Sequence, residues 1–125
     1  MQMLLAIAAG GAAGSVSRHL LSGVIMRTMG TGFPYGTFVV NVMGSLIMGF
    51  LITMFAHKLQ VTQELRGFLA VGFLGSFTTF SAFSLETVML VQRGDWGSAG
   101  LYAFSSVMLG VTGLFAGIWL GRILI

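Results

Sequence analysis

Between Gly72 and Glu86 the chain reads GFLGSFTTFSAFSLE. Two glycines, five hydroxyl side chains and a carboxylate thus interrupt an apolar run long enough to cross a bilayer. In hydrocarbon each unpaired backbone N–H or C=O costs several kcal/mol, so such a stretch persists only where protein or a water-filled cavity surrounds it. The composition therefore predicts a broken membrane helix. A break exposes helix-end amides that favour anions and helix-end carbonyls that favour cations, which makes the stretch a candidate ion site. Phe73, Phe77, Phe80 and Phe83 follow at spacings of four, three and three. They would share one side of an unbroken helix, close to the hydroxyls of Thr78, Thr79, Ser81 and Ser84.

Polar residues elsewhere in apolar surroundings are few. Thr37, Asn41 and Ser45 recur every four residues and fall along one helical face. Two readings of Asn41 are open: an interhelical hydrogen bond worth about 0.6–2 kcal/mol, or a donor aimed at a ligand. Tyr102, Ser105 and Ser106 add hydroxyls near the start of the last apolar run. Arg18 at the bilayer centre would cost about 2.5–3.5 kcal/mol, so it must snorkel, face a wet cavity or pair. Glu86 is the one carboxylate at membrane depth, because Glu64 and Asp95 fall in connections. An electrostatic role for Arg18 and Glu86, including a pair between them, stays open.

The elements that position these residues follow from composition. Of 125 residues 56% are hydrophobic and 7% charged, against about 25% charged in soluble domains, and the mean hydropathy is +0.97. This is the composition of an integral membrane protein, with the lipid bilayer as its surroundings. Four spans of about 20 residues leave only short loops, hence a single four-helix transmembrane domain over residues 1–125. The net charge of +3 reflects scarce acids rather than a basic patch, so nucleic acid is not an expected partner. Without cysteine, and with only two scattered histidines, there is no thiol chemistry and no zinc site. No nucleophile with a base appears either, and the chain is not expected to be an enzyme.

Helix 1 is expected from Met3 to Met26 as an uncleaved span, because the start lacks the positive n-region of a signal peptide. Its Gly10 and Gly14 form a small-xxx-small pair for close helix approach. Thr28 to Tyr35, with Gly30, Gly32 and Pro34, reads as a loop. Helix 2 begins near Gly36, and His57 to Glu64 is a polar connection. Helix 3 runs from Leu65 to Val91 with the break inside it. Gln92 to Gly97 is a turn whose Trp96 suits an interfacial anchor. Helix 4 covers Ser98 to Leu120, and Gly110, Gly113, Gly117 and Gly121 make a seam for tight packing within the chain or against a second copy. Lys58, Arg66 and Arg122 fall on one side of the four spans, and Arg27 and Arg93 on the other. Three against two sets no orientation. Insertion in both directions, and an antiparallel dual-topology homodimer with any off-axis site present twice, is the expectation.

Three separated segments resemble the bacterial fluoride channel family, often called Fluc or CrcB: GGAAGSVSR ending at Arg18, PYGTFVVNVMGS from Pro34 to Ser45, and the Gly72–Glu86 stretch. The third is the most specific, and the likeness covers nearly the whole chain. The resemblance implies a multi-pass protein of the bacterial inner membrane. It also implies passive fluoride export through two pores per antiparallel dimer, giving fluoride resistance. Phe80 and Phe83 then match the phenylalanines lining the fluoride path, and Asn41 its pore amide. The hydroxyls of Thr37, Ser81, Ser106 and Tyr102 complete the expected pore set. Gly75 and Thr78 match the helix-break carbonyls that hold a structural sodium ion on the dimer axis. Ser76, Ala82 and His19 depart from the common pattern; Ala82 removes a possible pore hydroxyl, and no role is carried onto it. A dry pore must replace the hydration of a small anion with neutral donors, since a fixed positive charge would trap it. Amide and hydroxyl donors and the positive edge of a phenyl ring suit that task.

Two other readings stand beside this one. A small dual-topology drug/proton exporter shares the size and span number, but needs a membrane carboxylate that alternates between proton and cation, and only Glu86 is present. A purely structural subunit would transport nothing and would leave Asn41, Thr78 and Ser81 without a use.

Overall fold

The computed structural model describes residues 1–57 and 60–124. Lys58, counted above among the basic residues, lies outside the described residues. The described chain is helical, with four stretches long and apolar enough to cross a membrane. Helix α1 is Gln2–Met29 and α2 is Tyr35–His57. The third span, Gln63–Gln92, is composite. It contains α3 (Gln63–Arg66), a π-helical segment (Gly67–Leu74), α4 (Gly75–Phe77) and α5 (Phe80–Gln92). The last span is α6, Trp96–Ile123.

Two helix starts lie ahead of the expected ones, where local caps support extra residues. Thr62 Oγ1 accepts from the Leu65 amide at 3.1 Å and starts the third span, and Asp95 Oδ1 accepts from Ser98 at 3.3 Å and starts α6 before the expected Ser98. Such side-chain caps satisfy amides that a helix start leaves without acceptors. The turn between α5 and α6 passes through Gly94 at φ 81°, a left-handed backbone that favours glycine. Trp96 follows it, largely exposed.

Small residues decide which spans touch. The most extensive pairings join α2 to α6, and α1 to the π segment. On α6, Gly117 lies against the Leu46 carbonyl and Gly121 against Thr53, while on α2 Gly49 lies against the Leu114 carbonyl. The α6 glycine seam thus packs within the chain, except at Gly110, whose nearest neighbour is Ser45 Oγ at 3.8 Å from an added Cβ. The Gly10–Gly14 pair meets the carbonyls of Phe68 and Phe73 in the π segment.

That segment is a feature the sequence reading missed. Gly67 and Gly72 are both buried against α1, yet they are five residues apart. In an α-helix of 3.6 residues per turn, a spacing of five points about 140° away. Winding with i→i+5 bonds brings both to the α1 side. The cap of this segment has that form, the Gly75 amide reaching the Ala70 carbonyl.

The expected break is present at Thr78 and Thr79, whereas Gly75, expected to share in it, keeps a helical backbone. Gly75 is helical, at φ −61° and ψ −33°. Thr78 (φ −92°, ψ 156°) and Thr79 (φ −150°, ψ 120°) are extended, the conformation that β-branched side chains favour. The break also divides the phenylalanine stripe. Phe73 and Phe77 stack before it with centroids 6.0 Å apart, and Phe80 and Phe83 form a tilted pair after it at 5.7 Å.

The packing makes a direct prediction. An added methyl at Gly117 collides with backbone, whereas one at Gly100 meets open space. Gly117→Ala should lower thermal stability in detergent by about 1–3 kcal/mol, and Gly100→Ala should leave it unchanged or slightly raised.

Candidate functional site

Breaking a helix between residues 77 and 80 separates carbonyls 75–78 from amides 79–82, which would have been their i+4 partners. Neighbouring helices supply some of the replacements. The Thr79 amide donates to Asn41 Oδ1 at 2.7 Å, and Asn41 Nδ2 donates back to the Thr79 carbonyl at 3.1 Å. One amide side chain on α2 therefore pairs both backbone groups of Thr79, much as a strand neighbour would. The two bonds also fix the amide orientation, because only the oxygen can accept from N–H and only the nitrogen can donate to C=O. The Ala82 amide donates to Thr79 Oγ1 at 3.1 Å, which makes Thr79 the N-cap of α5. Ser81 Oγ lies 3.3 Å from the same hydroxyl.

On the carbonyl side, Arg18 Nε donates to the Ser76 oxygen at 3.1 Å. The charge of Arg18 thus sits at the C-terminal end of a half-helix, where a cation is favoured. The Thr78 carbonyl, outside the helices, accepts no hydrogen bond among the described residues. The Thr79 amide, which a continuous helix would direct at the Gly75 carbonyl, is directed at Asn41 instead. Bare carbonyl oxygens, without a carboxylate beside them, are a donor set suited to a weakly charged hard cation.

Beside the break lies a cleft of about 260 Å³, lined by Asn41, Ser45, Thr78, Thr79, Phe80, Phe83, Ser106, Val107 and Gly110. No charged side chain lines it. Ser106 Oγ is buried there without a hydrogen-bond partner among the described residues, which leaves its O–H free for a ligand. Asn41 keeps a second Nδ2 hydrogen that Thr79 does not use. Phe80 is 79% exposed in the single chain, whereas Phe83 is partly covered by Tyr102, at 5.1 Å between centroids.

The remaining expected pore residues are placed differently. Tyr102 is fully buried beyond Phe83, its ring meeting the Phe33 ring edge-on at 5.5 Å. Its hydroxyl donates to Glu86 Oε1 at 3.2 Å and faces the buried Thr37 hydroxyl. Thr37, Tyr102 and Glu86 therefore form a second polar cluster outside the cleft lining. Ser81 is exposed next to the break, and Gly75 is exposed one turn before it. A pair between Arg18 and Glu86, left open from sequence, is not formed: each has its own partner across the break from the other. Of the two readings of Asn41 left open from sequence, the interhelical hydrogen bond is formed, with Thr79 of the third span as its partner. Asn41 and Ser45, but not Thr37, line the cleft, so the four-residue stripe serves two clusters.

Removing the Arg18 guanidinium leaves the Ser76 oxygen unpartnered. Arg18→Ala should lower the thermal stability of the purified protein by about 1–3 kcal/mol. Arg18→Lys, which keeps a charged donor on a long stem, should recover most of that loss.

Comparison with known proteins agrees with this architecture. Residues 5–118 match the family described as CrcB-like protein, Camphor Resistance (CrcB). A protein of Caulobacter vibrioides named fluoride-specific ion channel FluC is 50% identical over 123 residues, covering 98% of this chain and 97% of the relative. A protein of the same name from Rhodospirillum centenum is 50% identical over 122 residues, with the same coverage of both chains. One from Phenylobacterium zucineum is 49% identical over 123 residues, at 98% and 97%. With four membrane-length helices and a match along nearly its whole length, the chain belongs to the CrcB family of multi-pass membrane proteins.

Proposed function

We propose that this protein is a fluoride-selective channel that lets the ion leave the cell passively across the bacterial inner membrane and so gives fluoride resistance. The observation that carries the reading is the uncharged cleft in which an amide hydrogen, the unpartnered Ser106 hydroxyl and a phenyl pair converge. Each offers a positive edge or donor without a full charge, so the ion can be held and still released. The N-terminal end of α5 opens toward the same cleft through Thr79 and Phe80, adding the favourable end of a helix dipole. The names of the relatives point to the same ion. No bond is made or broken in such passage, and the chain has no catalytic role in this reading. The exporter alternative is disfavoured because Glu86 is engaged by Tyr102 and lies outside the cleft.

The working unit is an antiparallel homodimer with two pores. Phe80 is a large aromatic left bare at a helix break, and a second copy crossing there would cover it. The freed carbonyls of Gly75 and Thr78 from both copies would hold a sodium ion on the two-fold axis. When bound, that cation supplies charge compensation for the carbonyl ends of the two half-helices. Arg18, at Ser76, performs part of the same task within each chain.

Liposomes containing only this purified protein should release fluoride, with chloride retained. Phe80→Ile and Phe83→Ile keep apolar bulk but remove the ring quadrupole, and each should reduce fluoride efflux at least ten-fold at unchanged dimer yield. Variants that assemble and conduct like the parent would refute the pore assignment. Tags on the C-terminus should be found in comparable amounts on both faces of the membrane. Gly75→Val should reduce dimer yield, since within one chain its Cβ meets only the Ala70 oxygen at 3.6 Å. An undiminished yield would remove the crossing from this position.

A further inference from the structure

We propose that Asn41 is a positioning residue that keeps the third span open, acting on ion passage through the backbone of Thr79 as well as through its own amide. The inference rests on the conduction reading above and adds a second, separable role to the residue. Its basis is the pair of opposed hydrogen bonds, 2.7 Å and 3.1 Å, between one side-chain amide and both backbone groups of Thr79. A donor aimed only at an ion would need neither.

Two consequences follow from where Thr79 sits. Its amide is the group that a continuous helix would return to the Gly75 carbonyl. While Asn41 Oδ1 holds it, that carbonyl is denied its α-helical partner. Thr79 is also the N-cap of α5, with Oγ1 accepting from Ala82. Fixing Thr79 therefore fixes the first turn of α5, and with it Phe80 and Phe83, against α2. Asn41 thus sets the anion cleft and the opened helix end together, and a change at this side chain disturbs both.

The test uses the full-length protein in lipid nanodiscs and reads the Thr79 amide directly by NMR. In the parent, a through-hydrogen-bond coupling should connect the Thr79 nitrogen to the Asn41 side-chain carbonyl carbon. Its absence overturns the proposal whether or not any variant folds. Asn41→Ala removes the acceptor and should speed hydrogen exchange at Thr79 at least ten-fold. Asn41→Asp keeps an acceptor at the same place, so exchange there should stay within about three-fold of the parent. Fluoride efflux should be lost in both. If exchange at Thr79 in Asn41→Ala matches the parent while flux is lost, the side chain acts on the ion alone and the positioning role is wrong. If the parent itself carries no fluoride, the conduction reading fails, and the functional half of this inference fails with it, even where the coupling is seen.

Discussion

Backbone left unpaired inside a membrane is the constraint from which this structure is built. Where the third span opens at Thr78 and Thr79, a helix interior acquires two new ends in a place without bulk water. The neighbouring spans are arranged to meet those ends. Arg18 reaches from α1 to one carbonyl, and Asn41 reaches from α2 to both groups of one residue. The two new ends are opposite in sign: carbonyls before the break and amides after it. Incomplete pairing would be a defect in a lipid-facing helix; in the channel proposed above it leaves helix ends available to ions.

The close approach of spans supports that arrangement. Glycines on α1 and α6 let backbone touch backbone, so the helices that carry Arg18 and Asn41 are held near the break without long side chains between them. Only Gly110 in the α6 seam is spared this contact, and it lines the cleft instead. Packing and cleft thus draw on one row of residues.

Much of this was legible in the sequence, for identifiable reasons. Four spans follow from hydropathy, and the break follows from polar residues placed at membrane depth. The phenyl pair and Asn41 came from motif resemblance and from helical spacing. The break was expected around Gly75, Thr78 and Thr79; that the threonines alone open the helix was not legible, because a glycine is the obvious weak point while each threonine is individually compatible with a helix. The π winding was hidden for a different reason. Its only trace is a five-residue spacing between Gly67 and Gly72, which helical periodicity reads as two unrelated faces. Long-range partners such as Arg18 with Ser76 have no local signal at all, since they join residues distant in the chain.

The two halves of the third span are held by different materials. Before the break, the π segment meets α1 mainly through its own main chain against Gly10 and Gly14. After it, α5 meets α6 through the Phe83 and Tyr102 rings and the Glu86 carboxylate. Sequence drift should be tolerated unequally as a result. Outward positions of the first half, such as Val71, are free to change among apolar residues so long as the facing glycines persist. In the second half, identity itself is constrained, because each ring and hydroxyl is the contact. Divergent copies of this gene would therefore accumulate differences ahead of the two threonines sooner than behind them.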